Sequence, residues 1–234
     1  MSYKEISGNL FSSKAQALVN TVNCVGVMGK GIALEFRRRF PEMFKEYLQQ
    51  CSNKEIKPGN VYYYPHKDKL ILNFAIKDHW KYPSKIEWVE SCLKQFLREY
   101  KQKGITSVAF PWMGAMNGRI PLHIIKNSMR THLQYIADID IEVFDFDTNS
   151  PDPLFAILEI ISKSQDADYL ANISNIPKKY CIRILEGIRE GEVNSLYQLT
   201  NSHIIGSKSI DKLYSFLAAI LDGNLIIPKR NRLF

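Results

Sequence analysis

The twenty residues from Ala17 to Phe36 hold this chain to a narrow set of folds. Leu18, Val19 and Val22 are apolar and β-prone, which reads as a strand. Ile32, Phe36 and Phe40 recur at helical spacing, which reads as a helix. Gly26, Gly29 and Gly31 lie between the two. A strand that turns through glycine into a helix start can make an anion site. Glycine lets the backbone come close to a ligand. The first helical N–H groups have no partner within the helix, and the positive end of the dipole stands behind them. Asn20 and Asn23 bring further polar groups to the turn.

The spacing argues against two common nucleotide loops. A triphosphate loop needs four residues between its first glycine and a Gly-Lys pair, then Ser or Thr; here Val27 and Met28 are the two between, and Gly31 follows Lys30. The dinucleotide pattern G-x-G-x-x-G also fails, because its spacing is reversed.

Two further stretches point to the same end of a sheet. Leu70, Ile71, Leu72, Phe74 and Ile76 are nearly continuous apolar residues, as in a strand buried on both faces of an α/β sheet. Residues 61–64 read as its neighbour, joined through residues 65–69. Beyond it come Lys77, Asp78, His79 and Trp80, where ligands of open α/β sheets bind. Residues 105–110 read as another strand, followed by a second glycine loop from Pro111 to Pro121. It includes Gly114, Ala115, Met116, Asn117, Gly118 and Arg119. Two such loops at neighbouring strand ends could clasp one diphosphate from both sides.

The remaining elements follow from pattern. Residues 4–7 read as a first strand. Pro41 opens a helix with Phe44, Tyr47 and Leu48 on its apolar face. Ser84 is a candidate N-cap for a helix whose stripe is Ile86, Val89, Leu93, Phe96, Leu97 and Tyr100. Residues 138–143 alternate polar and apolar, as an edge or half-exposed strand does. Asn149-Ser150-Pro151-Asp152-Pro153 marks a boundary. Past it the strand signal fades, and residues 154–161, 178–188, 193–199 and 210–221 read as helices.

Charge and cysteine content narrow the function. Residues 1–150 carry 21 Lys/Arg against 15 Asp/Glu, a net +6, while residues 151–234 carry 10 against 9, a net +1. The basic excess belongs to the first part and suits a polyanionic partner such as nucleic acid, or a merely soluble basic surface. Arg37-Arg38-Arg39 is either a solvated face or a phosphate-facing patch. Cys24, Cys51, Cys92 and Cys181 are widely spaced, so neither a zinc site nor a disulfide framework is signalled. No metal or cofactor is implied. No apolar run is long enough to span a bilayer, and the N-terminus lacks the apolar core of a signal peptide, so a cytoplasmic protein is expected.

The run from Val19 to Leu34, above all from Asn20 to Gly31, resembles the macrodomains. Within them it is most similar to the DarG branch, antitoxins that remove ADP-ribose from thymidine in DNA. The resemblance covers residues 1–150. It implies an α/β three-layer macrodomain with a mixed central sheet; beyond it, residues 151–234 read by pattern as a small all-helical module that binds a partner, contacts DNA or extends the packing. It implies ADP-ribose in a cleft. Asn9, with Leu10 beside it, stands where the family usually has an aspartate for the adenine. It keeps a carbonyl acceptor without the charge; a plain turn role is the alternative. Asn20, Asn23, Gly26, Val27, Met28, Gly29, Gly31 and Ile32 would form the diphosphate side. Pro111, Gly114, Ala115, Met116, Asn117 and Gly118 would wrap the distal ribose.

The same resemblance makes Lys77 the catalytic residue, as a nucleophile or as a charge that stabilises the departing base. Asp78 departs from the branch pattern, and would either pair with Lys77 or point away from it. Ala115 and Met116 replace the branch's usual Cys-Gly. Gly118 stands where the terminal ADP-ribose glycohydrolase, in the same branch, has a catalytic aspartate. His79, Trp80 and Arg119 are candidate nucleic-acid contacts. The implied partners are ADP-ribose, ADP-ribosylated DNA and a cognate DNA ADP-ribosyltransferase toxin. The rival readings are a non-catalytic ADP-ribose reader, a hydrolase of another linkage (a protein carboxylate ester or ADP-ribose phosphate), and a toxin-binding antitoxin that acts through its helical module.

Overall fold

A computed structural model describes residues 2–202 and 204–227. The chain divides into two compact units, residues 1–146 and 147–234.

The first unit is built on one sheet. Its strands are β1 (Tyr3–Gly8), β2 (Ala17–Val22), β3 (Val61–His66), β4 (Lys69–Ala75), β5 (Ser107–Pro111) and β6 (Asp140–Phe146), in the order β1-β6-β5-β2-β4-β3. The β3–β4 pairing is antiparallel and the other pairings are parallel, so the sheet is mixed. Four helices accompany it: α1 (Gly31–Arg39), α2 (Pro41–Ser52), α3 (Ile86–Glu99) and α4 (Leu122–Leu133).

Strand alternation sorts the apolar side chains onto two faces. Val19, Leu72, Phe74, Val108, Phe110, Ile141 and Val143 face one way and pack with Val89, Leu93 and Phe96 of α3 and Ile125 and Met129 of α4. Leu18, Val22, Ile71, Ala75, Ala109 and Phe144 face the other way, against Phe36 of α1 and Met43 and Tyr47 of α2. The result is three layers, helices over both faces of one sheet. The chain leaves β2 toward the α1 face and leaves β5 toward the α4 face. Since β2 and β5 are neighbours, a crevice opens between their carboxyl ends, where such sheets bind ligands.

The alternation over residues 138–143 is real, and of its two readings the half-exposed strand holds: β6 lies between β1 and β5, and β1 takes the edge. Its polar side chains find partners from the N-terminal segment, with the Ser13 hydroxyl donating to Glu142 at 2.5 Å and the Ser2 N–H donating to Asp140 at 2.7 Å. Ser84 is not the cap of α3 either. Lys85 holds that position, and Ser84 is buried just before it.

The second unit is helical among its described residues: α5 (Pro153–Ser164), α6 (Ala167–Ser174), α7 (Lys178–Arg189), α8 (Leu196–Asn201) and α9 (Ser207–Leu221). The short α6 is not legible from periodicity. Asp152, Asp166 and Ser195 cap α5, α6 and α8 by accepting backbone N–H groups. Arg189 closes the other end of α5, donating to the carbonyls of Ser162 at 2.7 Å and Gln165 at 2.8 Å. Leu158, Ile161, Leu170, Ile184, Leu213 and Leu217 fill the core of this unit. Among the described residues of the whole chain, no helix is long and apolar enough to cross a membrane, and no three His, Cys, Asp or Glu side chains gather as a metal site would require.

Phe74 stands at the centre of the first unit, fully buried, its ring 5.8 Å from Phe110 in an edge-to-face contact and 6.4 Å from Phe96. Phe74→Ala is expected to lower the stability of this unit by about 3–5 kcal/mol. Urea unfolding followed by tryptophan fluorescence checks it, because Trp80, Trp88 and Trp112 all lie in this unit.

Candidate functional site

The first glycine loop runs from Asn23 at the end of β2 to Gly31 at the start of α1. Gly26 and Gly31 take left-handed φ of 77° and 56°, which a side chain would strain. Asn23 braces the loop from inside: its Oδ1 accepts from the N–H groups of Val25 at 3.0 Å and Val27 at 3.3 Å, and its Nδ2 donates to the Val27 carbonyl at 2.5 Å. The Tyr47 hydroxyl donates to the Asn23 carbonyl at 2.6 Å and anchors the loop to α2. Asn20, within β2, is fully buried, and its Nδ2 donates to Asn73 Oδ1 at 2.9 Å across the β2–β4 register. Its Oδ1 has no partner among the described residues. Met28 packs beneath the loop in the core, while Val27 and Gly29 face out and Ile32 is half-buried.

The second loop is folded on itself. Gly114, at φ 79°, lies so close to Gly118 that a Cβ on Gly118 would strike Gly114's backbone. The Ile120 N–H donates to the Gly114 carbonyl at 3.1 Å and closes the turn. Pro111 ends β5, Ala115 is half-buried, and Met116 is 79% exposed at the rim. Asn117 reaches the first loop: a Cβ on Gly31 would meet its side-chain amide. The two glycine loops therefore touch.

Lys77 joins them. It follows β4, and its Nζ donates to the Asn117 carbonyl at 2.6 Å. Burial, and then the nearby Arg119 guanidinium, hold its pKa below the usual lysine range. Asp78 does not pair with Lys77. Its carbonyl accepts from the Cys24 N–H at 3.0 Å, and its carboxylate lies near enough to Cys24 to help burial push that thiol up to about 12. The Cys24 thiol donates to the Lys77 carbonyl at 3.2 Å. Arg119 itself sits in the left-handed region, at φ 62°.

Other candidates land differently. Asn9 is buried, and its side-chain oxygen accepts from the Phe11 N–H at 3.0 Å, capping the short turn at Leu10–Ser12; Leu10 is in the core. This contact is the one that the turn role requires. Arg39 is not part of a solvated face. Its guanidinium lies 4.1 Å from the Phe11 ring centroid and 3.4 Å from the Glu35 carboxylate, and Arg38 reaches the same carboxylate at 3.7 Å. His79 and Trp80 stand together beyond Lys77, their rings stacked at 5.6 Å. Sequence reasoning passed over Tyr47 and Tyr82. Tyr47 read as a core ring, and nothing in its spacing marks its hydroxyl as the loop's anchor. Tyr82 is exposed and carries no periodic signal.

Comparison with known proteins bears on this site. Residues 19–129 match the family model described as Macro domain. A DNA ADP-ribosyl glycohydrolase of Mycobacterium tuberculosis is 39% identical over 142 residues, covering 59% of this chain and 40% of that protein. The chain thus spans about two-fifths of the length of the curated relatives it first matches. The structure of the macrodomain of Mycobacterium tuberculosis DarG superposes with a TM-score of 0.58 at 37% identity, over 64% of this chain and 98% of that one. That of Thermosipho africanus DarTG in complex with ADP-ribose gives 0.59 at 30% identity, over 65% and 43%. The chain belongs to the macrodomain family.

Proposed function

We propose that this chain is a DNA ADP-ribosyl glycohydrolase, which binds ADP-ribose across its two glycine loops and hydrolyses the bond between the distal ribose and the base of a thymidine in DNA. The observation that carries this reading is the meeting of Lys77 with both loops: a lysine of depressed pKa, bonded to the Asn117 carbonyl, stands where loops from β2 and β5 touch. The names of the similar proteins support the substrate. The fusion protein of Thermosipho africanus, which joins a DNA ADP-ribosyl transferase to a glycohydrolase, supports a cognate transferase as partner and an antitoxin role.

The chemistry follows from what the groups can do. The N–H groups at the start of α1 and the open backbone at Gly29 suit a diphosphate. The second loop suits the distal ribose. Lys77 acts at the anomeric carbon. As a neutral amine it attacks that carbon, the base departs, and water releases the sugar; as an ammonium it stabilises charge on the departing base while water attacks. Gly118 offers no acid, so Lys77 carries the reaction without the aspartate that the terminal ADP-ribose glycohydrolase uses there.

Purified protein is tested against single-stranded DNA carrying ADP-ribose on thymidine, with released ADP-ribose measured. Turnover is expected for the wild type. Lys77→Ala is expected to slow it on the order of a hundredfold or more. An equal rate for the variant removes Lys77 from the mechanism; no turnover with retained ADP-ribose binding makes the chain a reader or a hydrolase of another linkage.

The pH profile separates the two roles of Lys77. If the neutral amine is the active form, the rate rises with pH up to the depressed lysine pKa and then levels. If the ammonium is active, the rate is level at lower pH and falls as pH passes that same pKa. Gly118→Ala is expected to abolish ADP-ribose binding in a calorimetric titration, since its Cβ would collide with the Gly114 backbone, which cannot move without opening the loop.

A further inference from the structure

The segment from Lys77 to Ser84 is bonded at both ends to adjacent residues of the second loop. Lys77 Nζ donates to the Asn117 carbonyl at 2.6 Å, and the Ser84 N–H donates to the Gly118 carbonyl at 2.9 Å. Between these anchors the chain turns tightly: the Tyr82 N–H donates to the His79 carbonyl at 3.1 Å, and the Lys81 N–H to His79 Nδ1 at 3.2 Å. The turn gathers three rings. His79 lies 5.6 Å from both Trp80 and Tyr82, and the Lys81 ammonium lies 5.4 Å from the Trp80 ring centroid. These rings are not core: Trp80 is 49% exposed and Tyr82 is 65% exposed.

We propose that residues 79–82 form a stacking shelf for a base of single-stranded nucleic acid, the one next to the nucleotide that presents its ADP-ribose to Lys77. The proposal rests on the glycohydrolase reading and names the residues that would hold the strand beside the reacting nucleotide. Exposed aromatic faces stack on any base, and cations beside them follow the phosphates. The segment His79-Trp80-Lys81-Tyr82-Pro83-Ser84-Lys85 carries two lysines and no acid, and Arg119 adds its charge beside Lys77. Asp78, the nearest acid in sequence, has its carboxylate close to Cys24. A duplex hides its base faces, so the shelf selects single strands.

The test is binding of an unmodified fluorescent single-stranded 12-mer to the full chain at low salt, read by anisotropy, beside the duplex of the same sequence. Trp80→Ala and Tyr82→Ala are each expected to weaken single-strand binding on the order of tenfold, with Tyr82→Phe close to wild type, and the duplex to bind more weakly. Wild-type-like binding by both alanine variants, equal binding of the duplex, or no strand binding by the wild type overturns the shelf. Because no turnover is read, a chain without glycohydrolase activity still shows whether the shelf holds a strand, and turnover of ADP-ribosylated DNA judges the activity separately.

Discussion

The bond from the Lys77 ammonium to the Asn117 carbonyl depends on three strand ends arriving together, and the order of the sheet delivers them. Adjacent β2, β4 and β5 end side by side, but the chain leaves β2 and β5 toward opposite faces. That divergence opens the crevice and lets the loop after β5 reach back over the one after β2. The glycines are the local condition for this. At Gly31 a side chain would displace Asn117, and at Gly118 it would displace backbone. Lys77 then needs no acid to hold it: a carbonyl accepts its hydrogen bond, while burial and Arg119 hold its pKa down.

Support beneath the site is polar and buried, which is costly unless each group is matched. Asn23 uses both ends of its amide on its own loop. Asn20 and Asn73 meet across the register of β2 and β4, which matches the Asn20 amide N–H but leaves its Oδ1 without a partner among the described residues. The loop is therefore held from its own first residue, from the segment after β4, whose Lys77 and Asp78 carbonyls accept from Cys24, and from Tyr47 of α2. This suits a backbone that must keep its outward N–H groups free for a ligand.

Much of this was legible in the sequence. The change from a strand pattern to a helical one across Gly26, Gly29 and Gly31 marked β2 and α1, and the apolar run at Leu70–Ile76 marked a strand covered on both faces. What escaped depends on distant partners. The alternation of β6 suggested an edge or half-exposed strand because Asp140 and Glu142 are polar; what the pattern could not show is that Ser2 and Ser13, more than a hundred residues away, bond them beside a neighbouring strand. Arg39 looked solvated because its partner ring, Phe11, belongs to another element. Helix α6 escaped for a local reason: eight residues give too little periodicity, and only its Asp166 cap announces it.

Arg119 holds two opposed demands in one residue. Its left-handed backbone is the conformation glycine adopts without cost, and an arginine there carries a strain on the order of 1 kcal/mol. Its guanidinium also lies close enough to Lys77 to ease that lysine toward its neutral form. A selection for robustness alone would place glycine at this position and give back the strain. The same exchange would remove one of the two influences that hold the lysine pKa down and leave burial alone, so a single position sets both the strain in this loop and part of the charge balance of its lysine.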